Sequence, residues 1–265
     1  MTQSRQRIAC FGGIYSNSLA LQAALDDVRR RGVDAVYCLG DFGAFGPHPD
    51  RSLALLRDKN VVCIQGNYDN SIGNELDDCQ CGYTDPRDND FAQISYDYTL
   101  QHTDPDHRDW MRQLPQLLRP EWGTQRVLLS HGSPRKMNEF LWESTTSTQF
   151  LNHLAEQQQA DVMLVTHTGI KWQRELAENR LLVNVGVLGR PENDGTTNVW
   201  YTLLTVDQDG MLEVEFVPVN YDHEALAREM LAEKLPAEFV ETVLTGWWAT
   251  CLEILPSKER RRGRY

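Results

Sequence analysis

Val36-Tyr37-Cys38-Leu39-Gly40-Asp41-Phe42-Gly43-Ala44-Phe45-Gly46-Pro47 is an apolar run that stops on a glycine and a carboxylate, then turns into a glycine-rich aromatic loop. Short apolar runs bounded by glycine read as buried strands. The same construction flanks it on both sides: residues 8–11 end at Gly12-Gly13, and residues 61–64 end at Gly66-Asn67. Apolar residues at helical spacing fill the gaps at 19–28 and 50–57, with Asn17 and Ser18 as cap candidates for the first helix. Strand, helix, strand, helix, strand predicts a layered α/β domain.

The later chain continues the alternation. Strands are predicted at 126–130, 161–166 and 181–185, with a helix at 148–157. Between the two halves, residues 76–103 are polar and irregular, with helical stretches at 91–100 and 106–114, so this insert is expected to cover something. Residues 198–206 and 211–219 flank Asp207-Gln208-Asp209-Gly210 and read as a hairpin closing the sheet. Helices follow at 223–234 and 237–244, with Trp247-Trp248 as packing anchors.

Composition narrows the function. A formal charge of −12 opposes broad adhesion to nucleic acid. The cationic exception is the tail, Lys258-Glu259-Arg260-Arg261-Arg262-Gly263-Arg264, read as a solvated terminus. No apolar run reaches the ~18 residues of a membrane span, so no membrane partner is expected, and a cytoplasmic protein is. Six cysteines lack the spacing of a disulfide framework, which fits a reducing compartment. Cys79-Gln80-Cys81 stands apart in a polar loop: either a pair of thiolate ligands for a metal or a loop pair without one.

Ligand sites in open α/β sheets form beyond the carboxyl ends of strands. Those ends carry Asp41, Asn67, His131 and His167. One carboxylate, one amide oxygen and two imidazoles suit a divalent transition metal. Each alone fits an ordinary loop role; four together on four strand ends do not.

At these positions the chain resembles a known family. Gly40-Asp41 through Pro47, Gly66-Asn67-Tyr68-Asp69, Ser130-His131-Gly132-Ser133-Pro134 and Thr166-His167-Thr168-Gly169 resemble successive motifs of the calcineurin-like metallophosphoesterases, over residues 7–206. The likeness is strongest to the small bacterial phosphodiesterase and diadenosine-tetraphosphatase-like branch. It implies a layered α/β/β/α sandwich over residues 1–220, with the insert at 70–115, followed by a helical extension and basic tail over 221–265.

The departures are as informative. The family's first motif supplies Asp and His two residues apart, where this chain has Phe11-Gly12-Gly13-Ile14-Tyr15-Ser16-Asn17. Its last motif carries two histidines two apart, where this chain has His167 and Gly169. The family's first metal therefore retains only Asp41, whereas the second keeps Asp41, Asn67, His131 and His167. One ion per chain follows, of Mn, Fe, Zn or Ni.

Tyr68 stands where the family carries a leaving-group histidine, with Asp69 beside it to orient the site. Arg87, Arg135 and Arg190 are each either a surface salt-bridge former, the default, or a phosphate clamp, and Arg135 is expected to act in catalysis. Tyr15 is either a phosphate donor or packing; Tyr83, Tyr96, Tyr98 and Trp142 are base-stacking candidates or core; His48 faces either the site or solvent. The resemblance implies a metal-dependent phosphoesterase acting on a small phosphorylated or nucleotide-like molecule. A catalytically silent binding protein and different chemistry at a Cys-containing metal centre are the rivals, and self-association through the C-terminal helices stays open.

Overall fold

The computed structural model describes residues 5–207 and 209–261. Gln208 of the predicted turn and Arg262 and Arg264 of the basic tail lie outside the described residues. The elements are β1 (Gln6–Phe11), α1 (Ser18–Arg30), β2 (Ala35–Cys38), α2 (Pro49–Asp58), β3 (Val62–Cys63) and α3 (Asn67–Gly73). The insert contributes α4 (Pro86–Gln101) and α5 (Pro105–Gln113). There follow β4 (Leu117–Leu118), β5 (Glu121–Trp122), β6 (Gln125–Ser130), α6 (Thr148–Gln158), β7 (Val162–Val165), β8 (Trp172–Glu175) and β9 (Leu181–Asn184). The hairpin β10 (Val199–Val206) and β11 (Leu212–Val219) leads to α7 (His223–Ala232), α8 (Ala237–Thr245) and α9 (Ser257–Arg260).

Two sheets result, one ordered β11-β10-β1-β2-β3 and the other β4-β6-β7-β9-β8, with β5 paired to β6. β1, β2 and β3 run parallel, as do β6, β7 and β9, while the hairpin adds antiparallel to β1.

The period of two along each strand builds the layers. Ile8 and Cys10 of β1 join Leu129, Leu164 and Val183 in a core between the sheets. Their neighbours Ala9 and Phe11 turn the other way, against Leu21, Leu25 and Val28 of α1. On the second sheet Leu128, Met163 and Leu182 face outward onto Leu151 and Leu154 of α6. The order helix, sheet, sheet, helix is the expected α/β/β/α sandwich. Helices α7 and α8 place Leu226, Met230, Phe239 and Val243 in the same core as Phe11 and Leu21.

The first of five unpredicted elements is α3, whose Asn-Tyr-Asp-Asn-Ser start has weak helix propensity. The Asp69 carboxylate accepts the Gly66 N–H at 2.8 Å and thereby caps its first turn. The others are the two-residue β4 and β5 and the edge strand β8, which carry no readable alternation, and the four-residue α9. The first predicted helical stretch of the insert begins earlier than expected, because Asp85 caps α4 through the Arg87 and Asp88 N–H groups.

Candidate functional site

Six loops leave the carboxyl ends of β1, β2, β3, β6, β7 and β9 and meet at one edge of the sandwich. Asp41 and His167 both adopt left-handed backbone, with φ of 59° and 46°. That conformation is uncommon for residues with a Cβ, and Asp and His are among those that tolerate it. It aims both side chains back toward the gap between the sheets.

His131 Nδ1 donates to the Leu39 carbonyl at 2.6 Å, which leaves Nε2 to face the site. His131 Nε2 is 3.2 Å from Asp41 Oδ2 and 3.2 Å from His167 Nδ1. One potential ligand atom from each of the three residues lies within 4.8 Å of the other two, and all three residues are buried. Burial pushes the Asp41 carboxyl up, but the His131 imidazole, His167 and the Tyr68 N–H leave it below its ordinary value. Burial lowers the His131 pKa, and the Asp41 carboxylate outweighs it and raises the pKa above the ordinary value. Burial and then His131 push His167 down to about 3, so its ring is neutral. Lone pairs converging in a dry site need a proton or a cation between them.

Asn67 supplies a fourth donor. Its Nδ2 donates to the Cys79 carbonyl at 2.8 Å, which assigns the amide orientation, and its Oδ1 is buried with no hydrogen-bond partner. An orphaned buried amide oxygen beside a carboxylate and two imidazoles fits a hard or borderline divalent cation. Gly66 makes the approach possible, because a Cβ there would collide with Asp41 Oδ1 and come within 2.9 Å of His131 Nδ1.

Asp69 holds the two loops in register. Its carboxylate accepts the N–H groups of Asp41 at 2.7 Å and Phe42 at 3.0 Å, besides that of Gly66. Burial and then the Asp41 charge push it up to about 7, opposed by those three bonds. Behind the histidines, Asn184 ties the Thr166 carbonyl and the Thr168 hydroxyl at 2.9 and 2.8 Å.

The residues match a family at this point. The model of the calcineurin-like phosphoesterase superfamily domain matches residues 7–209. The chain belongs to the calcineurin-like phosphoesterase superfamily. An uncharacterized protein of Methanocaldococcus jannaschii is 25% identical over 254 residues, covering 91% of this chain and 99% of that one. A hypothetical protein of Pyrococcus horikoshii OT3 superposes with a TM-score of 0.76 at 22% identity, over 92% of this chain and 99% of the other. A metallophosphoesterase of Sphaerobacter thermophilus gives 0.69 at 23%, over 92% and 100%. At these identities the solved structures share the fold.

Within this phosphoesterase fold, a pocket opens beside Asp41 and His167, walled by Tyr15, Phe45, Tyr68, Tyr83, Phe91 and Arg190. Helix α4 forms one wall, and Phe239, Thr250 and Cys251 bring the C-terminal segment over another. The insert was expected to cover the site; the C-terminal contribution has no signal in the sequence. Asp88 of α4 clasps that segment by accepting the Cys251 and Glu253 N–H groups at 2.8 and 3.3 Å. Tyr68 lines the pocket with its hydroxyl donating to the Ala92 carbonyl at 3.3 Å, and burial raises its pKa well above normal, so it stays a protonated donor.

Four open candidates are placed by tertiary contacts. Cys79 and Cys81 do close over the site, but their sulfurs are joined to each other as a disulfide and so are not thiolate ligands. Their loop acts through the Cys79 carbonyl on Asn67. Arg135 does not line the pocket: its guanidinium pairs with Glu139 at 3.3 Å, 5.1 Å from the Phe150 ring centre. Arg87 is likewise outside, donating to the Ala249 carbonyl at 3.1 Å. His48 turns toward Glu229 and Glu233, at 4.0 and 3.9 Å. Of the three arginines, Arg190 alone lines the pocket. Among the described residues no helix is long and apolar enough to cross a membrane.

Proposed function

We propose that this chain is a metal-dependent phosphoesterase that binds one divalent transition cation, of Mn, Fe, Zn or Ni, through Asp41, Asn67, His131 and His167. The observation that carries the reading is the convergence of Asp41 Oδ2, His131 Nε2 and His167 Nδ1 beside the orphaned Asn67 Oδ1. A cation bound there supplies Lewis acidity, polarising a phosphoryl oxygen and acidifying water. His131 and His167 keep nitrogen lone pairs available, the first through its bond to the Leu39 carbonyl and the second through a depressed pKa. Asp69 positions Asp41 by its backbone, and the Tyr68 phenol, turned from the Ala92 carbonyl, would donate its one hydrogen bond to the phosphate. The aromatic wall of Phe45, Tyr83, Phe91 and Phe239 suits a small aryl or nucleoside ester.

A silent anion- or metal-binding role is favoured by one observation, that residues 11–17 offer neither a carboxylate nor an imidazole. Metal content per chain and turnover of bis(p-nitrophenyl) phosphate, measured together, decide between them. One ion per chain and turnover, both lost in His131→Ala and His167→Ala, are expected. Turnover that survives either substitution refutes the site, and a retained ion without turnover on any diester or monoester supports the silent role.

A further inference from the structure

The first-motif loop lacks its two ligands, and residue 169 lacks the third, and Arg190 lines the same pocket as Asp41 and His167. A Cβ built on Gly169 lies 3.5 Å from Arg190 Nη2 and 3.4 Å from the Trp248 ring. A Cβ built on Gly13 lies 2.5 Å from the Tyr15 ring. Tyr15 in turn has the Arg190 guanidinium 5.7 Å from its ring centre. Residues 13 and 15 of the Phe11–Asn17 loop, and residue 169, are therefore all in or against one Tyr15–Arg190–Trp248 cluster.

The arginine is locked into this place. Leu188 and Gly189 donate their N–H groups to the Gly13 carbonyl at 2.9 and 2.8 Å, and Asn17 Nδ2 donates to the Gly189 carbonyl at 3.1 Å. These bonds clip the turn before Arg190 directly onto the emptied first-motif loop. The guanidinium sits 3.6 Å from the Trp248 ring centre and 5.7 Å from that of Phe45. Trp248 is itself fixed, donating Nε1–H to the Pro191 carbonyl at 2.6 Å and its backbone N–H to Asn193 Oδ1 at 2.9 Å.

Arg190 is 7% exposed, and its buried Nε has no hydrogen-bond partner. Nor does any carboxylate among the described residues pair with its guanidinium. Aromatic faces stabilise a buried cation but cannot satisfy its N–H donors. A permanently charged, planar fork with unsatisfied donors is shaped for a tetrahedral oxyanion. Tyr15 adds a second donor, because burial raises its pKa and keeps its hydroxyl protonated despite the opposing influence of Arg190.

We infer that Arg190 stands in place of the first cation of the family's two-metal centre, as a resident guanidinium that binds a phosphate oxygen opposite the Asp41–Asn67–His131–His167 site. The inference rests on the reading of this pocket as a phosphate-ester site. It makes the loss of the three ligands one coordinated change: a charge that must be loaded is exchanged for one built into the chain. The protein then binds a single ion even in excess metal.

The test uses the metal-containing full chain. Inorganic phosphate is titrated calorimetrically into wild type, Arg190→Met and Arg190→Lys, with metal content measured on the same samples. Arg190→Met is expected to keep wild-type metal content and lose at least about 10-fold in phosphate affinity, a typical loss for a charged bidentate contact. Arg190→Lys is expected to fall between them. Equal phosphate binding by wild type and a folded, metal-loaded Arg190→Met overturns the inference.

Should Arg190→Met not fold, the Arg190 Nε–H resonance of the wild type, assigned by its disappearance in Arg190→Lys, reports directly. A shift on adding phosphate supports the contact, and an unmoved signal overturns it. Wild type without metal or turnover would refute the proposed function and still leave an Arg190-dependent anion site visible. Arg190-independent phosphate binding would overturn this inference and leave turnover untouched.

Discussion

The Asp69 carboxylate reaches across from the start of α3 to the backbone of Asp41, accepting its N–H at 2.7 Å while also holding Phe42 and Gly66. One buried side chain thus sets the spacing between the loop that presents Asp41 and the loop that presents Asn67. Replacing it leaves three buried N–H groups unpaired, each costing ~1–3 kcal/mol. Asp69→Ala is expected to lose about 3–5 kcal/mol in urea unfolding and to release the metal. A variant within about 1 kcal/mol of wild type would mean that water replaces the carboxylate and that the loops hold themselves.

The disulfide loop makes a different prediction. Cys79 touches the site through its carbonyl, which orients Asn67, and the Cys79 and Cys81 sulfurs are bonded to each other. The Cys79→Ser/Cys81→Ser double variant is expected to retain one metal per chain, whereas Asn67→Leu is expected to lose it. Metal analysis of both settles the point: loss in the serine variant would restore the thiolates as ligands.

Asp88 ties the C-terminal segment to α4 through two backbone N–H groups. Asp88→Ala frees the strap that carries Trp248 over Arg190. The expected stability loss is ~1–3 kcal/mol, with faster proteolysis between residues 246 and 256 and a red-shifted tryptophan emission. Unchanged proteolysis would show that Trp248 and α8 hold the strap without Asp88.

Acid stability has an identifiable contributor at the other end of the domain. Asp27 of α1 accepts the hydroxyl of Tyr201 at 2.7 Å and pairs with Arg31 at 2.8 Å. Burial raises its pKa, but these bonds leave it below the usual 3.8. A carboxyl lowered by folding adds stability that is fully present above its unfolded pKa and is lost as pH falls through its folded one. Asp27→Asn is therefore expected to be less stable at neutral pH by ~1–2 kcal/mol, with the difference shrinking below about pH 4. A constant gap between variant and wild type down to pH 2 would exclude the ionised carboxylate as the cause.

The sequence by itself determined the alternation of strands and helices and the placing of Asp41, Asn67, His131 and His167 just beyond strand ends. Both are written locally: apolar periodicity marks a strand, and the residues just beyond its end are carried to the site edge by topology alone. Whether a loop side chain turns inward depends on distant partners. Arg135 and Arg190 both follow glycine-containing loops, yet Glu139 and Phe150 draw the first outward, while Trp248, 58 positions along the chain, receives the second in the pocket. The same limit hid α3, capped by a carboxylate that also serves β2, and the edge strand β8, whose Trp-Gln-Arg-Glu has no period of its own. Only the tertiary structure decided that a guanidinium packs beside the emptied first-motif loop, because that arrangement joins residues 13–15, 169, 190 and 248, which no local pattern relates.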